Sequence, residues 1–427
     1  MKRTREILLT ALALFSLFFG AGNLILPPLL GYTAAESWWL VALGFCISAV
    51  LIPILGILAH ARLQGTMFDF GNKVSPGFSR VYCYFVYAIS ISLPSPRTAA
   101  VTHEIGVMPL VDSSSLITSI VYFSLVFLFV INRGWILDVI GKFLSPAILL
   151  VLFGMIAVSF FRFPFEFDAS GFSNPISSGI LEGYQTFDAI GAVVVGGVII
   201  ISINIKEREM SFSSKRKIIA RAGWLAGLGL FLIYGCLILT GALFHGNFSE
   251  DVSRTALLSG ISKATLGNSA NLLLSILVSL ACFTTAVGII TGTADFVKSQ
   301  FPKIKSAYLI TSIIASSLGI LMGQFNVGYI IAVALPALMF IYPITIALIL
   351  LNVLPSRFTS PSIFRAVVLT TIVFSLPDFL GSFGIELDWW TWIPLSDFKM
   401  GWVLPSLIVF LALLIREKKP SPMGKYK

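Results

Sequence analysis

The sequence predicts an all-α membrane protein with twelve transmembrane helices, two of them broken near their centres. The 427 residues are 57% hydrophobic and only 11% charged, whereas soluble proteins carry about 25% charged residues. Apolar segments of about 20 residues, the length that crosses a bilayer, recur along the whole chain. The first and the sixth of these segments contain residues that disfavour a continuous helix. The composition therefore indicates a membrane protein, and the two interruptions indicate where a functional site lies.

The predicted spans follow one another with short connections and leave no room for a separate soluble domain. Such runs are too long for the strands of a β-barrel, so we expect helices throughout. One transmembrane domain is expected over residues 1–427. Its spans lie at 7–30, 37–59, 80–107, 114–131, 136–160, 179–204, 221–244, 268–297, 306–325, 327–352, 363–384 and 400–415. Pro146 is expected to interrupt the fifth of them.

Basic residues predict the orientation of the chain. Of the 29 lysines and arginines, one lies deep within a span and four lie in loops on one side, which leaves 24 in the two termini, the loops of the other side and the adjoining ends of spans. Cytoplasmic loops carry the excess of lysine and arginine. We therefore expect both termini in the cytoplasm. The net charge of +9 reflects this topology and does not indicate a nucleic-acid partner.

Span 1 contains the run Gly-Ala-Gly-Asn at 20–23, with prolines at 27 and 28. Glycine costs about 1 kcal/mol relative to alanine inside a helix, and each proline removes a backbone donor. Two interpretations follow. The segment is a kinked helix packed closely through its glycines, or it is a broken helix whose freed amides and carbonyls line a binding cavity.

Span 6 is interrupted at 182–188, five spans after the first interruption. Irregular segments at corresponding positions of two halves indicate an inverted repeat with a central site. Repeat one would cover about 7–160 and repeat two about 179–352, with two further helices at about 363–415. Asp188 lies inside span 6, and a carboxylate within a membrane is a functional candidate unless it faces an outer vestibule.

Span 3 holds Arg97, the basic residue that lies farthest from the ends of a predicted span. Pro94 and Pro96 break this helix, and Glu104 lies seven residues further on, on nearly the same helical face. In a structural interpretation, Arg97 pairs with Glu104 or Asp188 and fixes helix packing. In a functional one, it lies beside the substrate path and contacts a carboxylate or holds Asp188. The sequence leaves both open.

Span 8 carries adjacent hydroxyls at Thr284 and Thr285. Threonines in membrane helices commonly donate back to a carbonyl of the preceding turn. Alternatively, both hydroxyls supply hard oxygen ligands to an alkali cation, with carbonyls of the broken span 1 completing the site.

An ordered set of motifs along the whole chain resembles the bacterial branched-chain amino acid carriers, the leucine/isoleucine/valine:cation symporter family. Where this family usually has Gly-Pro before Pro-Arg-Thr, the present chain has Ser-Ile at 90–91. The resembling motifs are Phe18-Phe19-Gly20-Ala21-Gly22-Asn23-Leu24, Pro96-Arg97-Thr98-Ala99, Gly183-Tyr184-Gln185-Thr186-Phe187-Asp188, Thr284-Thr285-Ala286-Val287-Gly288 and Ile341-Tyr342-Pro343.

The resemblance implies the five-plus-five fold of the sodium-coupled leucine transporter and suggests ligands at residue level. Sodium would bind the carbonyls of Ser16, Phe19 and Ala281 and the hydroxyls of Thr284 and Thr285. The substrate carboxylate would meet the amides of Ala21 and Gly22 at the start of a half-helix. The substrate-binding set implied is Leu17, Phe18, Gly20, Ala21, Gly22, Asn23, Arg97, Thr186, Phe187 and Asp188, with the carbonyls of Leu17, Phe18, Thr186 and Phe187 meeting the amino group, together with Asp188.

We therefore expect a symporter that imports leucine, isoleucine and valine with sodium across the bacterial cytoplasmic membrane. No enzymatic activity and no cofactor beyond the coupling ion are expected, because the sequence has no nucleotide-binding loop, metal cluster or catalytic triad. A proton-coupled permease using Asp188 or Glu104 is the alternative within the same class. A channel or a solute sensor is a remote alternative from another class.

Overall fold

The protein is described by a computed structural model that covers residues 2–20, 22–132, 136–169, 172–194, 196, 211–385 and 387–418. All regular secondary structure within these residues is helical. The expected all-α class is therefore confirmed for this part of the chain.

The described residues of predicted repeat one form nine α-helices, one of which is a short connecting helix. Two single turns of π-helix, at Ile47–Leu51 and Thr102–Val107, extend α3 and α7. In chain order the helices are α1 (Lys2–Phe18), α2 (Gly22–Ala34), α3 (Trp38–Cys46), α4 (Ile52–Leu63), α5 (Met67–Asn72), α6 (Pro76–Ser92), α7 (Pro94–Val101), α8 (Ser115–Ile131) and α9 (Ile136–Arg162).

The described residues of the rest of the chain form eight further α-helices. The second part of predicted span 6 lies mostly outside the described residues, which extend here to 194. The helices are α10 (Pro175–Tyr184), α11 (188–194 as described), α12 (Phe212–Leu243), α13 (Arg254–Gln300), α14 (Ala307–Gly323), α15 (Val327–Val353), α16 (Pro361–Gly381) and α17 (Val403–Lys418).

Several of these helices are apolar enough to cross a membrane. By length and composition, five helical stretches of the described residues qualify: Gly22–Leu63, Phe212–Leu243, Arg254–Gln300, Val327–Val353 and Pro361–Gly381. Shorter apolar helices lie at Ser115–Ile131, Pro146–Arg162 and Ala307–Gly323. These helices fit a polytopic membrane protein.

Prolines and glycines interrupt the helices at some of the expected places. The break in span 3 is confirmed, since α6 ends at Ser92 and α7 begins at Pro94. The interruption expected at Pro146 is wrong: α9 continues through it, because a single proline removes only one helical hydrogen bond. Gly267, with φ 83°, kinks α13 and separates an unpredicted helical segment from span 8.

Glycines let α12 pack against α2, and α10 against α3, at very short backbone separation. A side chain on Gly31 would overlap the Ile238 carbonyl, and one on Gly241 would overlap the Pro28 carbonyl. Gly44 and Gly179 stand in the same reciprocal relation between α3 and α10. Small residues allow such close packing between membrane helices, where van der Waals contact drives association.

Candidate functional site

The break between α1 and α2 releases two backbone carbonyls. In a continuous helix, the amides of Gly20 and Asn23 would bond the carbonyls of Ser16 and Phe19. Instead, Gly20 donates to the Phe18 carbonyl at 2.9 Å, and Asn23 donates to the Gly20 carbonyl at 3.0 Å. The amides of Gly20 and Asn23 therefore do not bond the carbonyls of Ser16 and Phe19. These two carbonyls are among the sodium ligands expected from the sequence.

The second break lies between α10 and α11. Phe187 has φ 62°, a left-handed conformation that is costly for a bulky side chain and is commonly found at functional sites. The Thr186 hydroxyl donates to the Gly183 carbonyl at 2.8 Å and accepts from the Asp188 amide at 3.2 Å. Asp188 then begins α11. This backbone turn places Thr186, Phe187 and Asp188 together on the wall of a cavity.

Asn23 joins the two breaks. Its Nδ2 lies 2.6 Å from the Phe18 carbonyl oxygen, 2.8 Å from Asp188 Oδ2 and 2.8 Å from the Tyr234 hydroxyl. The amide has two hydrogens, so it donates to two of these three at a time. Asn23 and Asp188 are 3% and 7% exposed, which makes this contact between spans 1 and 6 a buried one.

A central cavity of about 960 Å³ lies between the breaks and α13. This volume is within the range of small-molecule sites. The charged residues on its wall are Arg97, Asp188 and Asp295. Of the residues expected from the sequence to bind sodium or substrate, eleven line it: Ser16, Phe18, Gly20, Gly22, Asn23, Arg97, Thr186, Phe187, Asp188, Thr284 and Thr285.

The other expected site residues lie behind this wall or outside the description. Phe19 is buried beside the break, with its ring 6.4 Å from that of Tyr234. Ala281 contributes its carbonyl to the hydroxyl cluster described below. Ala21 and the side chain of Leu17 lie outside the described residues, although Leu17 belongs to α1.

Thr284 and Thr285 surround the Ala281 carbonyl. Their hydroxyls donate to it at 3.0 and 2.8 Å, which is the back-bonding expected of threonines in a helix. Each hydroxyl oxygen retains lone pairs for a further ligand. Gly20 lies next to this cluster, since a Cβ built on it would be 3.9 Å from Thr285 Oγ1. The broken backbone of span 1 and the hydroxyls of span 8 are therefore neighbours.

Arg97 lies between the two breaks. Its Nη1 donates to the Gln185 carbonyl at 2.7 Å, and its guanidinium carbon lies 5.4 Å from the centre of the Phe187 ring. A Cβ on Gly22 would be 2.5 Å from Nη2, so the guanidinium is in contact with the start of α2. The side chain is 5% exposed.

Glu104 does not pair with Arg97, which removes one of the two structural pairings considered from the sequence. Its carboxylate accepts from the Thr255 hydroxyl and, at 2.8 Å, from the Val327 amide at the start of α15. The π-helical turn Thr102–Val107 changes the angular position of Glu104, so spacing by 3.6 residues per turn gave the wrong face. His103 makes a polar contact, with Nδ1 2.9 Å from the Thr118 hydroxyl.

Sequence reasoning missed three residues of this region. Tyr234 is fully buried and contacts Asn23, but a tyrosine in an apolar span gives no distinctive signal. Thr291 and Asp295 line the cavity on α13. Their spacing of four residues, continuing the polar face from Thr284 and Gly288, could have indicated a polar stripe on span 8.

Among the residues that the structure describes, the site has no cluster suited to a transition metal. Within the described ranges, no group of three or more histidine, cysteine or acidic residues could hold a metal ion. The oxygens of Ser16, Phe19, Ala281, Thr284 and Thr285 are hard neutral ligands, which suit an alkali cation.

Comparisons with known proteins identify the family. The family described as "Branched-chain amino acid transport protein" matches residues 3–419. The branched-chain amino acid transport system 2 carrier protein of Pseudomonas aeruginosa is 32% identical over 97% of this chain and 96% of its own length. The branched-chain amino acid permease BrnQ of Bacillus subtilis is 31% identical over 94% of each chain. BrnQ of Salmonella typhimurium is 30% identical over 97% of this chain and 96% of its own.

Solved structures identify the fold. Mhp1 in an inward-facing conformation gives a TM-score of 0.61 at 14% identity, covering 95% of this chain and 89% of that one. Mhp1, a nucleobase-cation-symport-1 family transporter, in a closed conformation with bromovinylhydantoin bound gives 0.50 at 14% identity, covering 95% and 91%. The matched relatives are carriers and permeases, not enzymes. The chain is thus a multi-pass membrane transporter that belongs to the branched-chain amino acid transport protein family.

Proposed function

We propose that this chain is a secondary symporter that imports leucine, isoleucine and valine together with sodium by alternating access. It crosses the bacterial cytoplasmic membrane twelve times, with both termini in the cytoplasm, in a five-plus-five inverted repeat. The observation that carries the proposal is the contact of the two helix breaks across the cavity, through Asn23 and Asp188 at 2.8 Å.

The repeat is supported by the reciprocal glycine contacts. Span 1 packs on span 7 through Gly31 and Gly241, and span 6 packs on span 2 through Gly44 and Gly179. If spans 1–5 are exchanged with spans 6–10, the pair formed by spans 1 and 7 becomes the pair formed by spans 6 and 2. Broken helices at equivalent positions are typical of this arrangement.

In the proposed sodium site, the freed carbonyls of Ser16 and Phe19 meet the oxygens of Ala281, Thr284 and Thr285. Five oxygens of this kind match the preference of a hard cation. The 3.9 Å separation between a Gly20 Cβ position and Thr285 Oγ1 supports a shared site. Sodium supplies the driving force when it moves down its gradient, and this chain supplies the ligands.

In the proposed substrate site, the branched side chain lies against apolar residues of the cavity wall, including Val101, Phe187 and Ile190. The carboxylate meets the start of α2, where the helix dipole and the free amides favour an anion. The amino group meets the second break, where Asp188 provides a carboxylate. The Phe18 carbonyl already accepts from Gly20 and Asn23, which makes it a weaker ligand than expected from the sequence.

We assign the structure to an inward-facing form. The cavity extends from the breaks to Thr66, Phe68, Asp295 and Ser299, near the ends of α4 and α13. The nearby basic residues Arg62, Lys73 and Lys298 lie on the side that the positive-inside rule assigns to the cytoplasm.

Uptake of radiolabelled leucine into proteoliposomes, with and without a sodium gradient at fixed pH, tests the proposal. We expect accumulation that requires the gradient and is competed by isoleucine and valine. The Thr284→Ala, Thr285→Ala double variant should lose the sodium dependence.

Thr311 and Ser312 on α14 provide a matched control. Both hydroxyls also donate to the carbonyl four residues earlier, each at 2.8 Å, and neither is on the cavity wall. Their double alanine variant should keep sodium-driven uptake. Accumulation driven by a proton gradient without sodium would favour the proton-coupled alternative, with Asp188 as the proton site. No gradient-dependent accumulation of any branched-chain amino acid would refute the proposal.

A further inference from the structure

Arg97 is a buried cation without an ionic partner among the described residues. Its side chain is 5% exposed, and no described carboxylate lies within 4.0 Å of its nitrogens. Of its five N–H donors, one donates to a described residue, from Nη1 to the Gln185 carbonyl. A buried charge is normally paired, because its lost hydration must be replaced.

The donors without a described partner lie beside the start of α2, and Arg97 and Gly22 both line the cavity. Nη2 and Nε donate to no described residue, and they are the guanidinium atoms closest to Gly22, together with the carbon between them. Nη2 is also the atom that would be 2.5 Å from a Gly22 Cβ, so only a glycine leaves room for the guanidinium here. Two independent features that attract anions thus lie side by side at the cavity: a helix N-terminus and a guanidinium edge that has no partner among the described residues.

Asp188 is not the missing partner. Its Oδ2 accepts from Asn23, and its amide donates to Thr186, so other residues hold its position. Arg97 instead donates to the backbone at 185, within the second break. This contact fixes the guanidinium without neutralising it.

We propose that Arg97 is the counter-ion that binds the α-carboxylate of the transported amino acid, through Nε and Nη2, in a bidentate pair. The inference rests on the proposed function and adds a specificity-determining residue to it. The site then selects for a carboxylate through a fixed protein charge in addition to the helix N-terminus. Neutral derivatives of the same amino acid fill the apolar part of the site but leave the guanidinium unpaired.

Binding of leucine and of leucinamide, which lacks the carboxylate charge, to purified protein tests the proposal. The wild type should prefer leucine strongly. Arg97→Gln should lower leucine affinity by about 100-fold, the usual effect of removing one partner of a buried charge pair, while leucinamide affinity changes little. Arg97→Lys should give an intermediate loss, because a point charge replaces the planar fork.

Arg365 provides the control, since its Nε also donates to a backbone carbonyl, that of Val74 at 2.9 Å, and it lies outside the cavity wall. Arg365→Gln should keep the ratio of leucine to leucinamide affinity. Sodium-dependent thermal stabilisation identifies variants that are folded, and Arg97→Lys replaces Arg97→Gln if the latter does not fold. An unchanged ratio in a folded Arg97 variant, or an equal loss for both ligands, overturns the inference. Absence of leucine binding to the wild type refutes the proposed function instead.

Discussion

Replacing Asn23 by alanine should strongly reduce leucine uptake per folded molecule, while the loss in thermal stability stays moderate. Asn23 is 3% exposed, and its Nδ2 lies within 2.8 Å of the Phe18 carbonyl, Asp188 and Tyr234. The substitution removes the direct contact between the two helix breaks and leaves Asp188 Oδ2 without this donor. We expect the second break to lose its fixed position relative to the first.

The magnitude follows from the number of hydrogens on the amide. At most two bonds are donated at one time. A hydrogen bond to the Asp188 carboxylate contributes about 1.5–3 kcal/mol and one to the Phe18 carbonyl about 1 kcal/mol. The substitution therefore removes about 3 kcal/mol of interaction free energy. If this free energy is used to order the binding site, leucine affinity falls by about 100-fold.

Asn352 gives the matched comparison. It is 4% exposed and its Nδ2 donates to the carbonyls of Phe70 at 3.1 Å and Leu348 at 2.9 Å, away from the cavity wall. Thermal unfolding in detergent should show a lower midpoint for both alanine variants. Leucine uptake per folded molecule should fall about 100-fold for Asn23→Ala and less than twofold for Asn352→Ala. Equal uptake by the two variants would refute the reasoning.

Two further predictions concern packing and access. Gly241→Ala should destabilise the protein by about 1–3 kcal/mol, because the added methyl group overlaps the Pro28 carbonyl. Gly235→Ala on the same helix should be neutral or stabilising, because its methyl group meets no atom within 4 Å. Thermal unfolding of both variants tests this prediction. Thr291→Cys should react with a membrane-impermeant maleimide from the cytoplasmic side and more slowly with leucine and sodium present, since Thr291 lines the cavity. Faster reaction from the outer side would contradict the inward-facing assignment.

The helix breaks could be predicted from the sequence because their causes are local. Glycine and proline are unfavourable in a helix interior whatever surrounds them. The run at 20–23 therefore indicated where α1 ends and α2 begins, and with it which carbonyls are released. Pro146 shows the limit of this reasoning, since α9 absorbs the loss of one hydrogen bond and continues.

Partners of buried polar groups could not be predicted, because they depend on the packing of distant helices. The spacing of Arg97 and Glu104 places them on the same face only if the helix is regular. The π-helical turn at Thr102–Val107 instead directs Glu104 to Thr255 and α15. Tyr234 lies 211 residues from Asn23 and contacts it through the packing of α12 on spans 1 and 2. No local pattern encodes such a contact.

The Glu182–Arg254 pair has a consequence for the resting state of the transporter. It joins α10 to the start of α13, with 17% of the Glu182 side chain and 22% of the Arg254 side chain exposed, on the side of the breaks away from the cavity mouth. A partly exposed pair contributes up to about 1 kcal/mol, which changes the equilibrium between two conformations by about fivefold at most. Under the proposed mechanism, substitutions at this pair shift the fraction of molecules that wait with an empty site facing the cytoplasm, while the proposed ligands of the substrate and the ion stay the same.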